Sequence, residues 1–96
     1  MFARITKYQM KPECIEEAKA KLHELKPQIM GMPGMKNFIN AMNSDGSGYV
    51  ISVVESEETS IANQEAVKAL WANFAEYLSE PPVAEGFVVL MNEAND

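Results

Sequence analysis

Ninety-six residues are the length of one domain. With 47% hydrophobic and 23% charged residues the chain is globular in composition, which sets aside a disordered or coiled-coil protein. Eight Lys and Arg against fourteen Asp and Glu give a net charge of −6.

That charge is uneven. Residues 1–36 hold Arg4 and six lysines against four glutamates, or +3, and residues 37–96 hold Lys68 against ten acids, or −9. Nucleic acid binding needs a basic stripe, and here the basic third interleaves lysines with glutamates on a predicted helix. No nucleic acid partner is expected, and the acidic part reads as a solvated surface. Apolar stretches of five or six residues fall far short of the ~20 that cross a bilayer, so no membrane association is expected. The opening MFARITKYQM lacks the apolar segment of a secretory signal. The single cysteine, Cys14, cannot form an internal disulfide and fits a cytoplasmic protein.

Residues 2–10 are rich in aromatic and β-branched side chains and predict a strand that Pro12 stops. Over residues 13–30, Ile15, Ala18, Leu22, Leu25 and Ile29 recur at spacings of three and four and predict a helix with one apolar stripe. Glu17 stands four before Lys21, the favourable order for an ion pair. Pro27 removes the bond to the His23 carbonyl and should kink or loosen the last turns. Gly31-Met32-Pro33-Gly34 then ends the helix.

Residues 35–43 and 49–55 predict two strands. The Asn43–Gly48 segment between them is dense in turn-forming residues, so the pair reads as a hairpin. Its Asp45-Gly46-Ser47-Gly48 has no following lysine and is a turn rather than a phosphate loop. Ser56 is a candidate N-cap with Glu57 and Glu58 behind it. A second helix runs to about Ser79 with Val67, Leu70, Trp71, Phe74 and Leu78 on its apolar stripe, and Pro81-Pro82 ends it. Residues 86–91 predict the last strand and residues 92–96 a polar tail that frays.

The order β-α-β-β-α-β, with short right-handed connections, predicts an α+β ferredoxin-like sandwich filling residues 1–96. Its four-stranded antiparallel sheet carries both helices on one face. The other face should then be polar, yet the strands are apolar on both sides. In the first strand Phe2, Thr6, Tyr8 and Met10 oppose Ala3 and Ile5. In the third, Tyr49, Ile51 and Val53 oppose Val50 and Val54. A second copy covering the open face resolves this, so a homodimer with two facing sheets is expected.

This pattern resembles the antibiotic biosynthesis monooxygenase domain family of the dimeric α/β-barrel superfamily. The residues carrying the resemblance are the opening strand with Lys11-Pro12, the Met32-Pro33-Gly34-Met35 turn, and Val54-Glu55-Ser56-Glu57-Glu58 leading into the second helix. It covers nearly the whole chain. It implies a small-molecule pocket between sheet and helices, with activities that include oxidation of phenolic or quinol substrates by molecular oxygen without metal or prosthetic group. No cofactor is therefore expected, and since no Cys, His, Asp or Glu cluster has ligand spacing, no metal is expected either. Haem-degrading members use an Asn in the first strand and a Trp and a His ten residues apart in the second helix. Aligned on Glu55-Ser56-Glu57, those positions here are Ile5, Asn63 and Asn73, which disfavours haem degradation. The early helix histidines of quinol and signal-modifying members are also missing from Ala62-Asn63-Gln64-Glu65-Ala66.

Two candidate chemical groups remain on that helix. A quinone-forming member of the family has a Trp and a Tyr spaced as Trp71 and Tyr77 are here. A tyrosine hydroxyl can hydrogen-bond a phenol, and an indole N–H can steady a developing oxyanion or bound oxygen. Tyr77 and Trp71 are thus the candidate catalytic residues, against the alternative that both are packed core aromatics. Candidate ligand-binding residues are Phe38, Phe74, Arg4 and Asn63. Arg4 is the cation on a face otherwise apolar, available to a ligand anion or an inter-subunit ion pair. His23, the single histidine, flanks the first helix stripe and reads as a surface residue. Cys14 has no histidine or second cysteine beside it and does not read as a catalytic thiol. Met30, Met32, Met35 and Met42 gather near the end of the first helix and the second strand, as gap fillers or as an adaptable lining. The expected function is oxidation of a small aromatic, phenolic or quinol compound, or alternatively ligand binding or a structural role without catalysis.

Overall fold

The computed structural model describes residues 1–95. Asp96, the end of the tail expected to fray, lies outside them. Strand β1 (Phe2–Gln9) leads through a 3-10 turn (Pro12–Cys14) into helix α1 (Ile15–Met30). Strands β2 (Met35–Met42) and β3 (Ser47–Val54) form the hairpin. Helices α2 (Glu57–Ala62) and α3 (Gln64–Ala72) follow, then a 3-10 turn (Ala75–Tyr77) and strand β4 (Val83–Val88). The sheet runs β2-β3-β1-β4 with every pair antiparallel, which is the ferredoxin-like order.

The hairpin turn forms because Gly46 adopts φ +90°, a conformation that side chains rarely allow. Asp45 Oδ1 accepts from both the backbone N–H (2.9 Å) and the hydroxyl (2.6 Å) of Ser47. These bonds hold the Asp45 carboxyl below its ordinary value. Ser56 caps α2, accepting from the Thr59 N–H at 3.1 Å.

Several expectations are corrected. Pro27 lies inside a helix that continues past it: α1 runs to Met30, and the Gly31 N–H donates to the Pro27 carbonyl at 2.9 Å. Buried Leu25 and Ile29 hold these last turns against the sheet, and a proline forfeits only one bond, on an exposed side of the helix. The helix pairs are Glu16–Lys19 at 3.5 Å and Lys21–Glu24 at 3.4 Å, so Lys21 takes Glu24 rather than Glu17.

The single second helix is instead two helices and a turn. They part at Asn63, which is buried and donates from Nδ2 to the Pro33 carbonyl at 2.9 Å. This bond ties the helix junction to the turn before β2. Strand β4 also begins earlier than expected. It pairs from Val83 opposite Lys7 to Val88 opposite Phe2, and the Val89 N–H reaches the Met1 carbonyl. Leu90 and Met91 lie past the paired residues and stand almost fully exposed. Asn92 still donates to Asn37 Oδ1 at 3.3 Å.

Buried side chains of β1, β3, α1 and the segment after α3 meet in one core: Tyr8, Met10, Ala18, Leu25, Ile29, Val50, Phe74 and Tyr77. The opposite sheet face carries Ile39, Tyr49, Val83 and Phe87, each between 46% and 64% exposed. Large apolar residues thus stand in solvent on the side without helices.

Candidate functional site

Between the sheet and the helices lies a cavity of about 330 Å³. Its floor follows from period two in the strands. Arg4, Thr6, Tyr8 and Met10 of β1 point into it, with Phe38, Asn40 and Met42 of β2 and Val50 and Ser52 of β3. The roof comes from Ile15, Ala18 and Leu22 of α1 and from Leu70, Trp71 and Phe74. Met32 and Met35 also reach it, so the methionine cluster lines the cavity in part.

The polar features of this apolar space are few and placed. Tyr8 Oη donates to Asn40 Oδ1 at 2.6 Å. The two residues are not on adjacent strands, since β3 lies between β1 and β2. The ring crosses β3 at Gly48, the residue paired with Tyr8, where a Cβ would sit 2.6 Å from Tyr8 Cζ. Glycine is required here for close passage rather than for backbone conformation. Burial pushes the Tyr8 phenol above its ordinary 10.0, so it stays neutral at pH 7 and serves as donor and acceptor rather than as a base. At the other end of the β1 face, Arg4 Nη1 donates to the buried Ser60 hydroxyl at 3.4 Å. Arg4 forms no salt bridge among the described residues.

A second, more open cavity adjoins the first and is lined in addition by Gln64, Glu65, Lys68, Pro82 and Ala84. Arg4, Thr6, Val67 and Trp71 line both.

The predicted site residues divide. Trp71, Phe74, Phe38 and Arg4 come together around the cavity. Tyr77 and Asn63 do not line it. Asn63 is occupied with Pro33, as above. Tyr77 is buried at the end of an aromatic ladder in which Tyr8 and Trp71 centroids lie 5.9 Å apart, Trp71 and Phe74 6.2 Å, and Phe74 and Tyr77 6.4 Å. The helix carrying Trp71 ends at Ala72, so the spacing to Tyr77 is not a helical one. The tyrosine that enters the cavity is Tyr8. A strict reading of the β1 alternation, with Asn40 two residues from Phe38, marks both as inward-facing.

Ile5 lies on the sheet face away from the cavity, Asn73 is exposed and bonded to the Ala69 and Leu70 carbonyls, and His23 is exposed on α1. Among the described residues, no three His, Cys, Asp or Glu side chains are grouped to hold a metal ion. None of their helices is long and apolar enough to cross a membrane.

No family model matches the sequence, and no curated protein matches it significantly. The fold has many counterparts among solved structures. A proposed antibiotic biosynthesis monooxygenase from Nitrosomonas europaea superposes with a TM-score of 0.79 at 19% identity, covering 95% of this chain and 100% of its own. A protein of unknown function from the same organism gives 0.81 at 21% identity, covering 99% and 94%. MhuD, solved with two manganese protoporphyrin IX molecules per active site, gives 0.73 at 16% identity, covering 99% and 100%. The chain has the ferredoxin-like α+β fold of the antibiotic biosynthesis monooxygenase proteins over nearly its whole length.

Proposed function

We propose that this protein is a small-molecule oxidoreductase of the monooxygenase type, taking an aromatic or phenolic compound into the cavity between sheet and helices. The observation that carries the reading is the cavity itself. Its apolar walls enclose a short ladder of aromatic rings, with one hydrogen-bonding pair, Tyr8–Asn40, inside. The kinship of fold with proteins named as monooxygenases supports the choice of chemistry.

With a substrate that supplies its own electrons, the reaction balances without a further reductant. One oxygen atom of O₂ replaces two hydrogens as a carbonyl, and the other leaves with them as water. The residues present bind and orient. Trp71 and Phe74 stack on the ring, and Tyr8 with Asn40 fixes its hydroxyl. No lining side chain has an ordinary pKa near neutrality, so the substrate must ionise readily by itself.

That same feature favours a second reading, ligand binding without turnover. Anthrone, whose enol tautomer is a phenol, separates the two. Oxygen uptake above the uncatalysed rate, with label from ¹⁸O₂ in the anthraquinone product, is expected and should vanish in Trp71→Ala. Binding without uptake would leave only the second reading.

The exposed apolar sheet face supports a homodimer with the two sheets facing each other. A single free cysteine accords with a cytoplasmic protein.

A further inference from the structure

Building on the aromatic-ligand reading above, we propose that the cavity selects a carboxylate-bearing aromatic molecule, with its acid on Arg4 and its far end on the Tyr8–Asn40 pair. The chain as a whole carries −6. The ionised side chains lining the two cavities are nevertheless Arg4, Lys19 and Lys68 against Glu65. An acidic protein has thus concentrated positive charge where a ligand would sit.

Lys19 is already paired with Glu16 at 3.5 Å, but Arg4 has no carboxylate partner among the described residues. Its guanidinium is steadied by Ser60 through a single bond of 3.4 Å. A guanidinium presents five N–H donors in a planar fork, so most remain free, and the shape they match is a carboxylate.

The position fits as well as the charge. Arg4 and Trp71 line both cavities, so an acid held on Arg4 leaves its ring system in the space between sheet and helices. Four residues along the same strand face, Tyr8 and Asn40 close the other end. Tyr8 Oη spends its proton on Asn40 Oδ1 and keeps lone pairs to accept from a ligand hydroxyl. At ~3.3 Å per residue the two ends are about 13 Å apart along β1, and a hydrogen bond of ~2.9 Å at each end leaves about 7 Å between the polar atoms of a ligand. An aromatic system of one or two rings, with an acid at one end and a hydroxyl at the other, is of that length.

The probes are 6-hydroxy-2-naphthoate and its methyl ester, titrated by fluorescence. The wild type should bind the acid about tenfold or more tightly than the ester. Arg4→Gln should erase that preference while ester affinity stays the same. Lys7→Gln, on the opposite face of β1, should preserve it. Equal affinity for acid and ester in the wild type, or a preference that survives Arg4→Gln, overturns the acid selection and leaves the aromatic cavity standing. If neither probe binds at millimolar concentration, both readings fall. Should Arg4→Gln lose the ester too, Arg4→Lys decides: a retained preference for the acid supports the proposal, and a lost one overturns it.

Discussion

Tyr8 reaches Asn40 across an intervening strand, and it can do so because Gly48 leaves the space above β3 empty. The hydrogen bond of 2.6 Å therefore depends on a third residue that makes no polar contact with either partner through a side chain. Gly48→Ala places a methyl group into the Tyr8 ring. The expected cost is about 1–3 kcal/mol of stability, the usual range for overpacking. Affinity for phenolic ligands should fall with it. Urea unfolding together with a binding titration checks this, and a variant as stable and as tight-binding as the wild type would show that the ring has room to move.

Tyr8 also makes a prediction in pH. Its folded pKa lies above its ordinary 10.0 because the buried phenolate is disfavoured. The neutral form then contributes stability that is fully present below the unfolded pKa and is lost as pH rises through the folded one. Tyr8→Phe should cost about 1 kcal/mol near neutrality through the lost bond to Asn40. The gap between wild type and variant should narrow above about pH 10, where the unfolded chain gains from ionisation. Denaturation midpoints measured on both sides of that pH test the sign, and a gap that stays constant would contradict it.

Tyr77 is buried against Phe74 and does not line the cavity. Tyr77→Phe keeps the ring that Phe74 packs against, so ligand binding should be unchanged. Tyr77→Ala empties part of the core and should cost about 3–5 kcal/mol, the range for large aromatic truncations. A Tyr77→Phe protein that folds normally but loses ligand turnover would return this hydroxyl to the site.

The open sheet face makes the oligomer testable. Ile39 is 52% exposed in the single chain and Phe87 46%. If a second copy covers them, Ile39→Lys should shift the protein from dimer toward monomer in light scattering, by burying a charge without a partner. An unchanged mass, or a wild type that is already monomeric, would remove the facing-sheet arrangement.

The fold was legible because each element has a local cause. The stripe from Ile15 to Ile29, the turn residues Asn43–Gly48 and the Ser56 cap each specify their element without reference to the rest of the chain. The boundaries that moved were set from outside. β4 starts at Val83 because Lys7 of β1 pairs with it there, and the junction at Asn63 is tied by a bond to a carbonyl thirty positions away. The site was legible in part for the same reason. Trp71, Phe74, Phe38 and Arg4 face inward by periodicity. Tyr77 lies outside the cavity lining because the helix ends at Ala72 and the chain then tightens into a 3-10 turn. The Tyr8–Asn40 pair needs three strands and one glycine to exist, and no local pattern announces such an arrangement.

The proposed function requires that a small aromatic molecule enter the space bordered by Trp71. Trp71 is the single tryptophan of the chain, so its indole N–H gives one isolated cross-peak in a ¹⁵N correlation spectrum. Titration with the neutral phenol 2-naphthol should move that peak saturably, with accompanying shifts for the amides of Tyr8 and Phe38 and none for Lys7 or His23. An indole peak that stays in place to millimolar ligand, with the protein folded throughout, would show that the cavity takes no such molecule.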